Sequence, residues 1–340
     1  MKKPIIISDP FPRTLKLIFY NKTLKKLKKK YQLICHSNKN KKKFYENNIH
    51  KATFIMGQPN LPVSTLKRAK KLKAIFNVES NFINNVDYDF CFKKGIYVLS
   101  TSPVFAKPVA ELALGLTLSL LRQIHQNHEY FKNKNEKYGL KSNNNAQLLS
   151  EKKIGIIGFG DLAKSLLPLL KPFTNSISAY DPWLKKKFIN KYGVRKTSLK
   201  KLLKNCDVIY ILATATTENS EFIGLKELNS VKKGSYIVLM SRAALVKFPD
   251  LIKKIKQGDI HAAIDVFPKE PVPKNDSVRK LKNIIFSPHR AGALDVAFKN
   301  MGEIVLNDMD RMIKNLPPKF CKIAEAKTVK LLRSKPVDIS

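Results

Sequence analysis

Short apolar runs alternate with Lys-rich, amphipathic segments along the first 103 residues of the chain. Four of these runs have the length and composition of buried strands: Ile5–Ser8, Thr53–Met56, Ala74–Val78 and Tyr97–Leu99. Helical stretches are predicted between them, near residues 21–31 and 62–72. Strands that alternate with helices in this way predict a parallel sheet covered by helices.

A second alternation of the same kind begins at residue 154, after a polar, loop-like passage at 132–145. Its elements are strand candidates at Ile154–Ile157, Ile177–Tyr180, Val208–Leu212, Tyr236–Leu239, His261–Ile264 and Ile284–Phe286, with helical segments at 161–171, 198–204, 225–231 and 248–256. After Gly292 the pattern changes to one long amphipathic helix over about 295–314. The predicted fold class is therefore α/β, with two domains built on parallel sheets.

The longest apolar stretch is Val109–Leu121, which contains Glu111. It is shorter than the ~20 residues that a membrane span requires, and it is predicted to be a buried helix. The apolar run Ile5–Ile7 is too short for the core of a signal peptide. No membrane partner is therefore expected.

Length and composition agree with two globular domains, since the chain has 340 residues of which 44% are apolar. The chain has four cysteines, and no two of them form a C-x-x-C pair. This excludes a zinc ribbon, a thioredoxin-type redox pair and a secreted disulfide scaffold. A reduced, cytoplasmic protein is expected.

The formal net charge of +38 suggests at first that the chain binds nucleic acid. However, lysine accounts for most of the basic residues and only nine are arginine, the residue that reads bases and clamps phosphates best. The excess is spread over the chain and is densest at residues 22–30, where apolar positions recur at helical spacing. An amphipathic helix with a solvated Lys face explains this segment better than a nucleic-acid patch, so no nucleic-acid partner is expected.

A candidate cofactor motif follows the strand at 154–157, where the sequence reads Gly158-x-Gly160-x-x-Ala163 and continues into a helix. The first glycine permits a tight turn, the second lets the backbone approach a pyrophosphate, and the alanine allows close packing of the helix. Asp181 ends the next strand, about where an acidic residue binds the ribose of such a cofactor. A carboxylate there favours NAD over NADP. Two features oppose this interpretation: the acidic Asp161 in the turn, and the three lysines 185–187, which could tolerate a 2′-phosphate.

Three downstream segments begin at the carboxyl ends of predicted strands, where ligands bind in open α/β sheets. They contribute Arg242, Glu270 and His289. An arginine can hold a substrate carboxylate, a histidine can transfer the proton that accompanies a hydride, and a neighbouring glutamate orients the imidazolium. Taken singly, each has an ordinary alternative: a capping arginine, a solvated glutamate and a turn histidine. As a set at strand ends they favour redox chemistry on a 2-oxo or 2-hydroxy acid.

A metal site is not expected. His125 and His128 lie close together in the sequence, but no third ligand accompanies them.

The ordered set of motifs resembles the D-isomer-specific 2-hydroxyacid dehydrogenase family over nearly the whole chain. The segments that carry the resemblance are residues 77–102, V-A-E at 109–111, I-G-I-I-G-F-G-D-L-A at 154–163, M-S-R-A at 240–243, D-V-F-P-K-E-P at 265–271 and S-P-H-R-A-G at 287–292. The resemblance implies that Arg242, Glu270 and His289 are catalytic. It also implies two Rossmann-like or flavodoxin-like domains, with an NAD-binding domain at 104–294 inserted into a discontinuous substrate-binding domain at 1–103 and 295–340.

The resemblance further implies a homodimer with the long helix in its interface, and an active site in a cleft that closes on binding. Ser80, Asn81 and Arg242 would contact the substrate. The residues implied to contact the cofactor are Gly158, Gly160, Asp161, Leu162, Asp181, Ala213, Met240, Ser241, Asp265 and Gly292.

The chain departs from the family pattern at three places. Ala243 replaces the glycine that usually follows the catalytic arginine, and Lys247 replaces an acidic residue. The loop Glu79–Phe82 lacks the glycines whose N–H groups usually hold the substrate carboxylate, and it contains an acidic side chain. Glutamate rather than glutamine at 270 disfavours the formate dehydrogenase branch. Because the sequence ends about 25 residues after the last predicted helix, the regulatory domain of long phosphoglycerate dehydrogenases is not expected.

The leading hypothesis is an NAD-dependent reductase of a 2-oxo acid such as glyoxylate or hydroxypyruvate. A non-enzymatic, corepressor-like NAD-binding protein on the same fold is the alternative, and the retained Arg-Glu-His set argues against it. A nucleic-acid binder is a third hypothesis, suggested by the charge alone.

Overall fold

The computed structural model describes residues 3–36, 40–143 and 145–331. The chain divides into two compact units, with Met1–Phe105 and Ala293–Ser340 in unit 1 and Ala106–Gly292 in unit 2. The sequence analysis placed the corresponding boundaries at 103/104 and 294/295. Residues 332–340 of the expected substrate domain and Asn144 of the polar passage lie outside the described residues.

The strands are short, and five of them, β3, β4, β6, β9 and β10, are buried along their whole length. In chain order they are β1 (Ile5–Asp9), β2 (Gln32–Cys35), β3 (Phe54–Gly57), β4 (Ala74–Asn77), β5 (Tyr97–Ser100), β6 (Ile154–Ile157), β7 (Ile177–Tyr180), β8 (Arg195–Lys196), β9 (Val208–Ile211), β10 (Ser235–Leu239), β11 (Ile260–Ile264), β12 (Ile284–Phe286) and β13 (Lys322–Ile323).

The helices lie between the strands in both units. They are α1 (Leu15–Ile18), α2 (Asn21–Lys30), α3 (Lys41–Asn48), α4 (Val63–Leu66), α5 (Tyr88–Lys93), α6 (Ala106–Leu121), α7 (Ile124–Lys132), α8 (Asp161–Leu170), α9 (Lys186–Asn190), α10 (Leu199–Asn205), α11 (Leu225–Asn229), α12 (Phe248–Lys256) and α13 (Asp295–Ile313).

Each unit contains one sheet. The sheet of unit 1 has the order β13-β5-β4-β3-β1-β2, and it is parallel except for β13, which pairs antiparallel with β5. The sheet of unit 2 has the order β12-β11-β10-β9-β6-β7-β8 and is parallel throughout. In both sheets the chain first extends to one side of the starting strand and later returns to its other side, as in doubly wound α/β folds. The predicted fold class is therefore confirmed.

The sequence analysis found the strands that contain buried residues and missed β2, β8 and β13, in which no residue is buried. It was wrong about the helix near 62–72, because α4 ends at Leu66 and the Lys-rich residues after it form turns. Like charges spaced three and four residues apart between residues 67 and 73 disfavour a longer helix. The helices α1, α3, α5, α7 and α9 were not predicted.

The core of each unit lies on both faces of its sheet. In unit 1 the rings of Phe54 and Phe76 pack edge to face, with centroids 5.9 Å apart. In unit 2 helix α6 buries Ala113 and Leu121 against the sheet. The hydroxyl of Thr117 lies 2.7 Å from both the carbonyl oxygen of Ala113 and the hydroxyl of Tyr210, so the polar groups beneath this helix are satisfied.

The segment Ser102–Leu121 is 20 residues long and apolar enough to cross a membrane by length and composition alone. It is longer than the stretch identified from the sequence. Half of its most apolar part is buried inside the protein, as in the core helix of a globular domain.

Candidate active site

The turn after β6 has the geometry that a dinucleotide phosphate requires. Gly158 has φ +87°, and a Cβ atom placed there would lie 2.3 Å from Cα of Ala213 at the end of β9. Only glycine fits at this position. A Cβ atom on Gly160 would meet nothing within 4 Å, so the backbone there faces open space. Helix α8 begins at Asp161, so its N-terminal end, where a helix favours an anion, directly follows this glycine.

The first two residues of α8 are both partly exposed. Oδ1 of Asp161 lies 3.6 Å from Nζ of Lys164. The lysine offsets part of the negative charge that the sequence analysis found unfavourable in the turn. Leu162 is partly buried and packs against the core of unit 2. The turn residues present therefore fit the pyrophosphate of a nicotinamide dinucleotide.

Asp181 follows β7 and is fixed by backbone donors. One carboxylate oxygen accepts the N–H of Phe159 at 2.9 Å, and the other accepts the N–H groups of Trp183 at 2.9 Å and Leu184 at 3.1 Å. A carboxylate has about four lone-pair sites, so capacity remains for a ligand hydroxyl.

A cavity of about 500 Å³ lies beside Asp181. Its walls are formed by Tyr180, Asp181, Pro182, Lys196, Thr197, Ser198 and Lys201. The ammonium of Lys196 donates to the carbonyl oxygen of Leu184 and is thus held by the loop after β7. Lys201 is exposed. The cavity joins one carboxylate and two cationic side chains next to the phosphate turn.

Glu270 and His289 are in direct contact. The Oε2 atom of Glu270 lies 2.6 Å from Nδ1 of His289, and Oε1 accepts the N–H of Phe267 at 2.8 Å. Because an ionised carboxylate can only accept, Nδ1 carries the proton in this pair and Nε2 is the nitrogen that can exchange one. The side chains of His289 and Glu270 are 28% and 31% exposed, so small molecules can reach them.

Asp265 holds the loop that carries His289. It follows β11 and is almost completely buried, and its carboxylate accepts the hydroxyl of Ser287 and the N–H groups of Arg290 at 3.1 Å and Ala291 at 3.2 Å. The N–H of His289 donates to the carbonyl oxygen of Asp265 at 2.8 Å. Burial raises the pKa of Asp265, and these donors act in the opposite direction.

The sequence analysis missed this positioning role, although a signal for it was available. In the parallel register Ile264 pairs with Phe286, so Asp265 and Ser287 are the next residues on neighbouring strands. Two polar side chains at adjacent strand ends are expected to meet. The assignment of Asp265 to cofactor contact stays a prediction.

The segment after β10 carries Arg242. Met240 and Ser241 are buried, and the Ser241 hydroxyl donates to the carbonyl oxygen of Ile211 at 3.2 Å. Nη1 of Arg242 donates to the carbonyl oxygen of Ser241 at 2.7 Å, and the residue is partly exposed. The strands β10, β11 and β12 are neighbours, so the three predicted catalytic residues follow three adjacent strands at one edge of the sheet.

The remaining predicted site residues lie apart in the chain. Gly292 is the last residue of unit 2, whereas Ser80 and Asn81 belong to unit 1 and follow β4. Among the described residues no group of three or more His, Cys, Asp or Glu side chains is arranged to hold a metal ion.

Comparison with known proteins identifies the family. The sequence profile described as "D-isomer specific 2-hydroxyacid dehydrogenase, NAD binding domain" matches residues 114–291, which is more than half of the chain. The chain belongs to the D-isomer-specific 2-hydroxyacid dehydrogenase family. Unit 2 therefore contains the NAD-binding domain of this family.

Two curated relatives and one solved structure illustrate the likeness. A glyoxylate reductase of Thermococcus litoralis is 31% identical over 268 residues, which cover 74% of this chain and 78% of the relative. A D-3-phosphoglycerate dehydrogenase of Methanocaldococcus jannaschii is 30% identical over 251 residues, 73% of this chain but only 47% of the relative. The crystal structure of a phosphoglycerate oxidoreductase from Rhizobium etli is 42% identical, has a TM-score of 0.89 and is matched over 96% of this chain and 100% of that chain.

The structure shows where two of the residues that depart from the family pattern lie. Ala243 is buried and opens a short 3-10 turn that ends at Leu245. Lys247 is exposed, and its Nζ atom lies 4.0 Å from Oδ2 of Asp250 in the first turn of α12.

Proposed function

We propose that this protein is an NAD-dependent oxidoreductase that transfers a hydride between nicotinamide and a 2-oxo or D-2-hydroxy acid. The observation that carries the proposal is the 2.6 Å contact between Nδ1 of His289 and Oε2 of Glu270 at the carboxyl edge of the sheet in unit 2. Family membership supports the reaction class, and the phosphate turn at Gly158 and Gly160 supports the cofactor class.

Nicotinamide dinucleotide, when bound, supplies or accepts the hydride at C2 of the substrate. The protein must then move the matching proton, which Nε2 of His289 donates to the carbonyl oxygen during reduction and removes from the hydroxyl during oxidation. Glu270 accepts from Nδ1, so it fixes the ring orientation and stabilises the imidazolium. Arg242 binds the substrate carboxylate through charge-assisted hydrogen bonds.

A small 2-oxo acid such as glyoxylate or hydroxypyruvate is the proposed substrate class. The names of the relatives add a phosphorylated hydroxypyruvate, since two of them are a phosphoglycerate dehydrogenase and a phosphoglycerate oxidoreductase. The net charge of +38 would increase the encounter rate of any of these anions.

Cofactor choice is proposed to favour NAD over NADP. Asp181 is held by three backbone N–H groups, so it cannot easily turn away from a 2′-phosphate. Lys196 and Lys201 on the walls of the same cavity reduce the electrostatic repulsion between Asp181 and a 2′-phosphate. Some activity with NADPH is compatible with these two lysines. A higher kcat/KM for NADPH than for NADH would show that Asp181 does not select the cofactor.

The test is a turnover screen, in which NADH oxidation is followed by nicotinamide absorbance with glyoxylate, hydroxypyruvate, phosphohydroxypyruvate and pyruvate. The proposal expects turnover of at least one of these acids. NADH binding in the micromolar range without turnover would instead favour the corepressor-like alternative on the same fold.

A homodimer is proposed as the assembly. The region from α7 to Leu148 exposes several large apolar side chains that a soluble surface rarely exposes together. They are Ile124, Tyr130, Phe131, Tyr138, Leu140 and Leu148. Light scattering of the eluted protein should give twice the chain mass. The double variant Phe131→Glu/Leu140→Glu should be monomeric, whereas Leu316→Glu, which changes an exposed leucine of unit 1, should not.

A further inference from the structure

A buried ion pair in unit 1 lies outside the site described above. Nη2 of Arg13 lies 2.9 Å from Oε2 of Glu79, and the two side chains are only 5% and 4% exposed. Nε of Arg13 donates to the carbonyl oxygen of Val78 at 2.7 Å. The guanidinium also lies over the ring of Phe298, 4.9 Å from its centroid.

This ion pair fixes the start of the loop Glu79–Phe82, the segment that lacks the glycines usual in the family. The backbone carbonyl oxygen of Glu79 accepts the hydroxyls of Ser100 at 2.9 Å and Thr101 at 3.2 Å. Three strand ends and a loop therefore meet at Glu79, since Arg13 follows β1, Glu79 follows β4, and Ser100 and Thr101 lie at the end of β5.

The chain just beyond this loop is held by three hydrogen bonds of Asn85. Nδ2 of Asn85 donates to Oδ1 of Asn77 at 2.9 Å and to the carbonyl oxygen of Pro59 at 3.1 Å. The N–H of Leu61 donates to the carbonyl oxygen of Asn85 at 2.8 Å. Side-chain hydrogen bonds thus hold the start of the glycine-free loop Glu79–Phe82 and the residue Asn85 that follows it.

Stability is a weak explanation for such a pair. Burial of two charges costs desolvation free energy that their attraction often fails to recover, and apolar residues of similar volume are commonly as stable. Nη1 of Arg13 and Oε1 of Glu79 are buried and have no hydrogen-bond partner among the residues that the structure describes, so the pair is not optimised for stability. Its specific consequence is geometric and electrostatic, because it holds one loop and neutralises the acidic side chain in it.

We propose that Arg13 and Glu79 are positioning residues for substrate binding, which set the loop carrying Ser80 and Asn81 and cancel the charge that would repel an anionic acid. The inference rests on the proposed function, in which Ser80 and Asn81 contact the substrate. It explains how an acidic residue can occupy the substrate loop of an enzyme whose substrate is an anion. A displacement of such a loop by about 1 Å can reduce catalytic efficiency by about 100-fold.

The test compares Glu79→Gln, Arg13→Gln and the double variant in steady-state kinetics. Arg13→Gln leaves an uncompensated carboxylate near the loop and should raise KM for the 2-oxo acid by about 10- to 100-fold. KM for NADH should stay within about twofold of the wild type. The double variant, which removes both charges, should recover part of the loss. Additive or larger losses in the double variant would contradict charge cancellation.

Asp308→Asn is the matched control for a structural acid in the same unit. Asp308 is fully buried on α13 and accepts the N–H groups of Lys319, Phe320 and Cys321. This variant should lower the melting temperature without changing KM for the acid. If Arg13→Gln and Glu79→Gln behave like Asp308→Asn, the pair is merely structural and the inference is wrong.

Hydrogen exchange gives a readout that does not depend on turnover. Amides of residues 79–82 should exchange faster in Arg13→Gln than in the wild type, while those of β3 remain unchanged. Unchanged exchange in the loop would overturn the positioning role even if no 2-oxo acid is reduced. Absence of turnover in the wild type would instead contradict the proposed function.

Discussion

In each unit a glycine lies at the carboxyl edge of the sheet, between the two neighbouring strands where the strand order reverses. In unit 1 it is Gly57 at the end of β3, and a Cβ atom there would lie 1.9 Å from the carbonyl oxygen of Asp9 in β1. In unit 2 it is Gly158 after β6, and the same atom would lie 2.3 Å from Cα of Ala213. This position is the usual place for ligands in open α/β sheets.

The chain continues differently after each of these two glycines. After Gly57, Nε2 of Gln58 donates to the carbonyl oxygens of Pro10 and Phe11 at 3.1 and 2.8 Å, so the protein's own side chain occupies the position. After Gly158 the chain enters helix α8, and a Cβ atom on Gly160, the residue before this helix, would meet nothing within 4 Å. The point where the strand order reverses is thus filled by a side chain in unit 1 and open in unit 2.

The polar side chains at these edges show the same division. In unit 2 the pair formed by Glu270 and His289 is about one-third exposed, as chemistry on a diffusing molecule requires. In unit 1 the pair formed by Arg13 and Glu79 is buried, which suits a role in fixing a loop. The side chains proposed to take part in the reaction are more exposed than those proposed to hold a loop in position. Charge and place at a strand end do not distinguish the two pairs.

The largest effect is expected for His289→Ala. Loss of a general acid–base residue should reduce kcat by about 100- to 10,000-fold. NADH affinity should remain within about threefold of the wild type, as measured by quenching of Trp183 fluorescence. His50→Ala, which changes an exposed histidine of unit 1, is the control and should leave kcat unchanged. Normal turnover in His289→Ala would remove the proposed difference between the two edges.

Substitution of the two glycines tests the comparison directly. Each alanine would adopt a backbone conformation that costs about 1–3 kcal/mol, and overlap with the neighbouring strand adds a similar amount. Gly158→Ala should abolish NADH binding and lower the unfolding temperature seen by Trp183, the single tryptophan, which lies in unit 2. Gly57→Ala should destabilise unit 1, seen by circular dichroism, with NADH binding retained. Loss of NADH binding in both variants would mean that the two edges are not functionally separate.

Glu270→Gln should have an intermediate effect. The variant keeps the size of the side chain but loses a charge-assisted hydrogen bond to His289, worth about 1.5–3 kcal/mol. This corresponds to a fall in kcat of about 10- to 100-fold. The measurement is kcat at saturating NADH and 2-oxo acid. An effect as large as that of His289→Ala would indicate that Glu270 itself handles the proton.

The smallest effect is expected at the opposite, amino edge of the sheet in unit 2. Burial opposes ionisation of Asp207, but the Lys232 ammonium and the N–H of Lys153 outweigh it and lower its pKa. An acid with a lowered pKa stabilises the folded state above its unfolded pKa, and the contribution is lost as the pH falls through the folded pKa.

Asp207→Asn should therefore reduce the free energy of unfolding by about 1 kcal/mol at pH 7. The difference between variant and wild type should disappear in acid, and kcat should not change at either pH. Denaturant titrations at the two pH values measure the first effect. A loss of activity would show that the amino edge also contributes to function.

The sequence was sufficient for the parallel sheets, the phosphate turn and the placement of Arg242, Glu270 and His289 after strands, whereas the structure shows that these strands are neighbours. These features depend on local patterns: apolar runs, glycine spacing and polar residues at strand ends. The contact between Arg13 and Glu79 joins residues 66 positions apart. No local pattern predicts it, because it depends on which strand ends the sheet order brings together.

The strands without buried residues were missed for a different reason. β13 has two residues, both exposed, and it pairs with β5 through only two residue positions. Such a strand has no apolar periodicity, since its conformation is imposed by the neighbouring strand.

The helix α3 was not predicted because it begins with three lysines inside a Lys-rich segment. The side chain of Asn40 caps this helix by accepting the N–H of Lys43 at 3.1 Å.

The hydrogen bonds that Asp265 makes to Ser287, Arg290 and Ala291 have a kinetic consequence for the proposed reaction. Because they form within unit 2 alone, the conformational freedom of the histidine loop is lost once, during folding. An arriving acid then finds the imidazole already aligned, whichever side chain that acid carries. Acids that differ only beyond C2 should thus share one rate of proton transfer and differ mainly in how long they stay bound.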